Sequence, residues 1–137
     1  MTRNPANLGF QKLIETTEGR TKLTKIVTKM LSHWNLTTRE QLLLLGLNET
    51  SRYMLSRYKN NESILPNEQD KLERVGLLLA IYESLYALFP ENESLRFSWI
   101  KRRNQSLNNQ KPIDIMLEQG LIGIAKILWF LDYQKVQ

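Results

Sequence analysis

The chain of 137 residues has no cysteine, one histidine, four prolines and six glycines. Each scarcity removes a class of chemistry. Without thiols there is neither a disulfide framework nor a thiolate metal site, a composition that suits a reducing cytoplasm. His33 alone provides neither an imidazole metal centre nor a catalytic pair, and the carboxylates form no ligand cluster in the sequence. The glycines, at positions 9, 19, 46, 76, 120 and 123, never gather into a phosphate-cradling loop. Met1 to Gly9 is polar and lacks the apolar segment of a secretory signal. The apolar tail from Leu121 to Leu131 is interrupted by Lys126 and falls well short of the roughly 18 residues that a membrane span needs. The sequence therefore predicts no membrane association, metal, cofactor or enzymatic activity.

What is present is a globular composition with an uneven charge. At 42% hydrophobic the chain can build a core. Its net charge of +5 sits in one half: residues 1–61 carry ten Lys/Arg against four Asp/Glu, whereas residues 62–137 carry nine against ten. The first half suits an anionic polymer, and the second, at −1 overall, does not.

No run alternates polar and apolar residues as a strand does, while helical spacing recurs throughout, so the fold is predicted to be all-α. Residues 1–20 read as a weakly patterned N-terminal arm in which Leu8, Phe10, Leu13 and Ile14 form a short docked helix. Leu23, Ile26, Val27, Met30, Leu31 and Trp34 mark a helix from Thr21 to Asn35. Thr37 or Thr38, with Glu40 or Gln41 three residues on, gives a capping-box pattern for a helix over Arg39–Leu45 that stops at Gly46. Asn48 is expected to cap the next helix, Glu49–Lys59. The longest pattern, Leu72–Phe89, has Val75, Leu78, Leu79, Tyr82, Leu85, Tyr86 and Phe89 on one face and Leu77, Ile81 and Leu88 on another. A helix with so wide an apolar arc must be covered on two sides. Asp70 is placed to serve its first-turn N–H groups, and Pro90 stops it. Beyond it, Asn92 caps a short helix, residues 101–110 form a polar connection, and Pro112 opens a helix that breaks at Gly120 before the apolar last helix, Leu121 to about Tyr133.

LTTREQLLLLGLNETSRYMLSRYK has the form of a helix-turn-helix: a short helix ending at glycine, a three-residue turn and a capped second helix. Leu42, Leu45, Leu47 and Leu55 would lock the crossing. The exposed face of the second helix would enter a major groove, with Glu49, Thr50, Arg52 and Tyr53 nearest the base edges and Arg57 and Lys59 better placed for phosphates. Arg52 stands where the motif usually carries an aliphatic residue.

Four segments in order carry a family resemblance over residues 28–134. They are MLSHWNLTTREQLLLLGL, then LERVGLLLAIYESLYALFP, then Trp99 followed by RRNQSLNNQKPIDIMLEQG, and finally ILWFLDYQ. Together they resemble antitoxins of the Xre/MbcA/ParS type, which join an Xre-like helix-turn-helix (here 21–70) to a toxin-binding part (here 71–137) across the central helix. The resemblance implies a partner that neutralises a RES-domain, NAD⁺-destroying toxin. It also implies repression of the protein's own operon through operator DNA, as a homodimer or within a larger toxin–antitoxin complex. Phe130 occupies the family's tyrosine position, and Leu128 a position where arginine is frequent. A competing reading is a stand-alone helix-turn-helix transcriptional regulator with an unrelated C-terminal interaction domain.

The end of the chain is its densest apolar and aromatic stretch. Leu128, Trp129, Asp132 and Tyr133 are the toxin-contact candidates, Trp129 and Tyr133 because aromatics four apart on one helical face are common interface anchors. The alternative is that this helix simply packs on the central one, which is the preferred placement for Trp99. On the contact reading, removing Leu128 to Gln137 leaves the N-terminal half folded.

Overall fold

A computed structural model describes residues 8–137; residues 1–7 of the expected arm lie outside the described part. Every named element is helical, and the one extended feature among the described residues is an isolated bridge between Asn104 and Gln110. The all-α expectation is met.

The order is α1 (Leu8–Glu15), α2 (Thr17–His33), α3 (Thr38–Leu44), α4 (Arg52–Lys59), α5 (Gln69–Leu88), α6 (Glu93–Ser98) and α7 (Pro112–Lys135). Short 3-10 turns at Trp99–Lys101 and Gln105–Leu107 lie between the last two helices. Local chemistry sets most boundaries. Thr16 caps α2 by accepting from the Gly19 amide at 2.9 Å, so this helix begins four residues before the expected start. The capping box resolves to Thr37 and Glu40: Thr37 Oγ1 accepts from the Glu40 amide at 3.1 Å, and Glu40 Oε1 accepts from the Thr37 amide at 2.8 Å. Asn92 caps α6, accepting from the Leu95 amide at 3.0 Å. Asp70 serves no first-turn amide; its carboxylate takes the Arg74 guanidinium one turn along α5, at 3.1 Å.

The helix α5 is the axis of the molecule. Leu72, Val75, Leu78, Ala80, Ile81, Ser84 and Leu85 are buried on it, a set that occupies several sides of the cylinder. Its largest packing partner is α7, and α2 packs against it as well. One connected core runs from Leu23, Val27, Leu31 and Trp34 of the first half, through Leu78, Ile81 and Leu85, to Ile124, Ile127, Leu128 and Leu131 of the second. Phe10, Leu13 and Ile14 of α1 pack at its edge. Tyr86 departs from the expected buried face: it is 56% exposed, with the Arg96 guanidinium lying 4.5 Å over its ring.

Two glycines bend the path where other residues would be strained. Gly46 follows α3 with φ +78°, and Gly120 breaks α7 with φ 62° and ψ −137°, a region open essentially to glycine alone. The second half of α7, residues 121–135, is thereby aimed along α5.

Leu78 is fully buried at the middle of the axis. Leu78→Ala should destabilise the whole protein by about 2–5 kcal/mol in denaturant unfolding, through lost transfer energy and the cavity left behind. A Cβ at Gly120 would meet only Arg74 Nη2, at 3.6 Å. Gly120→Ala is therefore expected to cost about 1–3 kcal/mol from backbone strain alone, read as a lower thermal midpoint.

Candidate functional site

Two surfaces stand apart from the core. The first is built on α3, the turn 45–51 and α4. Asn48 does not cap a helix; its side-chain oxygen accepts from the Thr50 amide at 2.9 Å and the Thr50 hydroxyl at 3.0 Å, closing a local turn. That turn competes with the helix, so α4 begins at Arg52 rather than Glu49, and seven residues rather than three separate α3 from α4. Glu49 and Thr50 consequently sit in the turn. Glu49 is ion-paired with Arg39 of α3.

Leu55 and Tyr58 anchor α4 to the core, with Leu42 of α3 and Leu45 just after it buried and Leu47 packed at the edge. Burial, with the charge of Glu68 adding to it, raises the Tyr58 phenol above its ordinary pKa and keeps it neutral. Outward, Arg52, Tyr53, Ser56, Arg57 and Lys59 are exposed, Tyr53 at 65%. This face has three cations and no carboxylate. Arg57 is partly committed: its Nε donates to Ser63 Oγ at 2.8 Å and its Nη2 to the Glu62 carbonyl at 3.2 Å, bracing the loop after the helix. The end of α3 is fastened to the axis by Arg74 of α5, whose Nη1 donates to the Leu43 carbonyl at 3.2 Å.

The second surface is the outer side of α7 beyond Gly120. Its apolar run splits by helical phase. Ile124, Ile127, Leu128 and Leu131 face inward and are buried, while Trp129 and Tyr133 face out at 48% and 60% exposure. Leu128 is fully buried and so is not a surface contact; its phase matches Ile124 and Leu131, not Trp129. Asp132 also turns inward. Its carboxylate meets Lys135 at 2.9 Å, and Lys135 Nζ donates to the buried Ser84 hydroxyl at 3.1 Å, which ties the end of the chain to α5. The cation expected to meet Asp132 from a partner is thus supplied by the chain itself. Because Leu128 and Leu131 belong to the core, removing Leu128 to Gln137 would take away cover from α5 as well as the outer face. Trp99 is half-buried and stacks on Phe130 at 6.1 Å.

Ile122 and Val136, exposed at 64% and 79%, extend the stripe that the sequence reading confined to Trp129 and Tyr133. Positions 122, 126, 129, 133 and 136 succeed one another at intervals of three or four, and that spacing was available as a signal. Lys126 is the one charge in the stripe, and it donates to Gln119 at 2.7 Å. Apart from Lys126 the patch is apolar and aromatic and stays exposed among the described residues, the composition of an interface core.

His33 Nδ1 lies 2.7 Å from the Tyr82 hydroxyl, and its ring stacks on Phe97 at 4.6 Å, so the lone histidine is a packing residue between α2, α5 and α6. A groove of about 370 Å³ between α1, α2 and α5, whose lining includes Phe10, Leu13, Ile26 and Leu79, is mainly apolar. Among the described residues no three His, Cys, Asp or Glu side chains gather as metal ligands, and no helix is long and apolar enough to cross a membrane.

The architecture is all-helical, with a cationic face at one helix pair and an aromatic face on its last helix. Residues 84–133 match a family model, the antitoxin Xre/MbcA/ParS C-terminal toxin-binding domain. The matched segment includes Trp129, Tyr133 and Ile122, and it supports an antitoxin role in which this part of the chain binds a toxin. An uncharacterized protein of Sinorhizobium fredii, y4oB, is 28% identical over 107 residues, covering 78% of this chain and 79% of the relative. No solved structure matches.

A fold held at the axis and a stripe held at the surface predict opposite responses within one helix. Leu131→Ala should lower stability by about 2–5 kcal/mol. Trp129→Ala and Tyr133→Ala should shift the unfolding midpoint little, within the range of ordinary surface substitutions.

Proposed function

We propose that this protein is the antitoxin of a toxin–antitoxin pair, neutralising a RES-domain toxin of the NAD⁺-destroying class through the outer face of α7 and repressing its own operon through α3 and α4. One observation carries the reading: the segment that matches a toxin-binding domain is the segment whose last helix leaves an aromatic stripe uncovered. Such a domain acts by occupying a partner, so no catalytic group of its own is required. The resemblance of residues 28–134 to whole Xre/MbcA/ParS antitoxins supplies the RES partner and the repressor activity. The geometry is compatible with both.

Within this reading Trp129 and Tyr133 are the anchors, with Ile122 and Val136 extending the contact, while Leu128 and Asp132 hold the helix from behind. Truncating an aromatic at an interface centre commonly costs about 2 kcal/mol or more, roughly a thirtyfold loss of affinity. On the DNA side, Arg52 and Tyr53 are presented at the start of α4, where a groove-reading helix places its base contacts, and Lys59 near its end suits a phosphate. Glu49 and Thr50 shape the approach from the turn. A two-fold operator would engage two copies of the chain, as a homodimer or within the larger complex.

Calorimetric titration of the purified protein with its co-encoded RES-domain toxin should show Trp129→Ala and Tyr133→Ala each binding about thirtyfold more weakly, and co-expression with either variant should no longer protect cells. Wild-type affinity in both variants would sink the contact surface; no binding by the unmodified protein would sink the partner. For the DNA half, Arg52→Ala and Tyr53→Ala should reduce preference for the promoter over random duplex, whereas Lys59→Ala should weaken both alike.

A further inference from the structure

The near-neutral C-terminal half conceals a concentrated positive segment. Residues 94–113 carry Arg96, Lys101, Arg102, Arg103 and Lys111 and no Asp or Glu. The remainder of residues 62–137 has four Lys/Arg against ten Asp/Glu, so the overall balance hides the cluster. At its centre is the run Lys101-Arg102-Arg103, and its position in the fold is fixed by a long-range bond. Lys101 Nζ donates at 2.8 Å to the carbonyl of Asn35, in the turn between α2 and α3. Lys101 therefore stands beside the entry to α3, with Arg102 and Arg103 directly after it in the chain, although 66 residues of sequence separate the two ends of that bond.

None of the three is neutralised by a carboxylate among the described residues. Arg102 Nε donates to Ser98 Oγ at 2.9 Å, and Arg103 Nη1 donates to the Asn109 carbonyl at 3.1 Å. These neutral oxygens hold the guanidinium groups in place and leave their full charge. Both arginines are exposed. The loop that supports Arg103 is itself pinned, by Asn104 N donating to the Gln110 carbonyl at 3.1 Å and by Asn109 N donating to the Asn104 carbonyl at 2.9 Å.

We infer that Arg102 and Arg103 form a second phosphate-binding element, supplied by the toxin-binding half, which grips the DNA backbone alongside α3 while α4 occupies the groove. The inference rests on the DNA-binding reading of α3 and α4. In that docking geometry the first helix of the pair crosses the sugar–phosphate backbone, so cations anchored at its entrance meet phosphates rather than base edges. Fixed, unneutralised guanidinium groups suit phosphate oxygens in charge and in shape. The element adds affinity without sequence preference.

The test is a salt series on the full-length protein, by fluorescence anisotropy with its own promoter duplex and a random duplex, between about 50 and 200 mM salt. Each phosphate contact contributes about 0.9 to the slope of log affinity against log salt, so Arg102→Gln/Arg103→Gln should reduce that slope by about 2. Affinity should fall by the same factor on both duplexes, with an unchanged melting temperature. Arg102→Lys/Arg103→Lys should restore most of the slope, and Lys126→Gln should leave it unaltered. An unchanged slope in the double glutamine variant, with normal DNA binding by the parent, overturns this element alone and leaves the α4 reading standing. A parent protein without salt-dependent binding overturns both. An equal loss of slope per charge in Lys126→Gln shows a bulk charge effect and overturns the element, as does a double variant that keeps its slope and loses the toxin.

Discussion

A helix that is apolar around most of its circumference must be enclosed, and that requirement at α5 determines the rest of the architecture. No single neighbour covers it. The helix α2 takes one side and the second half of α7 another, so residues at opposite ends of the sequence share the same buried volume. The hydrophobic effect alone does not orient these neighbours, because burial is indifferent to direction. Orientation comes from turns and from directional bonds: the left-handed Gly120 aims α7, the Thr37–Glu40 box starts α3, and Thr24 Oγ1 accepts from the Leu65 amide at 2.9 Å to fix the approach to α5.

Three long cationic side chains complete the assembly by reaching neutral oxygens in distant parts of the chain. Arg74 reaches the Leu43 carbonyl, Lys101 the Asn35 carbonyl and Lys135 the Ser84 hydroxyl. The first two bind the α3–α4 region to elements beyond it, and the third closes the chain end on the axis.

Periodicity and caps make most of this architecture legible in the sequence. The central helix, the Thr37–Glu40 cap, the Asn92 cap and the break at Gly120 are all local signals, and each appears where its residues predict it. The start of α4 was not legible because Asn48 is as able to close a turn on Thr50 as to cap a helix, and only packing of the following residues decides between the two. Leu128 and Trp129 show a second limit. In an unbroken apolar run, composition does not say which side meets the core; phase relative to Ile124 and Leu131 does, and it separates neighbours into inside and outside. Asp132 and Lys101 show a third, for the partner of a long charged side chain is a tertiary property. The local pattern offered Asp132 to an external cation and put Lys101 at the start of a polar connection, whereas the fold gives each of them an internal partner.

The matched toxin-binding segment begins at residue 84, inside α5, not in a loop before it. A boundary drawn through a helix that both halves bury has an evolutionary consequence. A C-terminal part exchanged between related chains would have to keep α5 whole and fit the face already packed on α2. The outward residues of α7, Trp129 and Tyr133 among them, carry no such constraint and can change in place over an inner face that stays as it is.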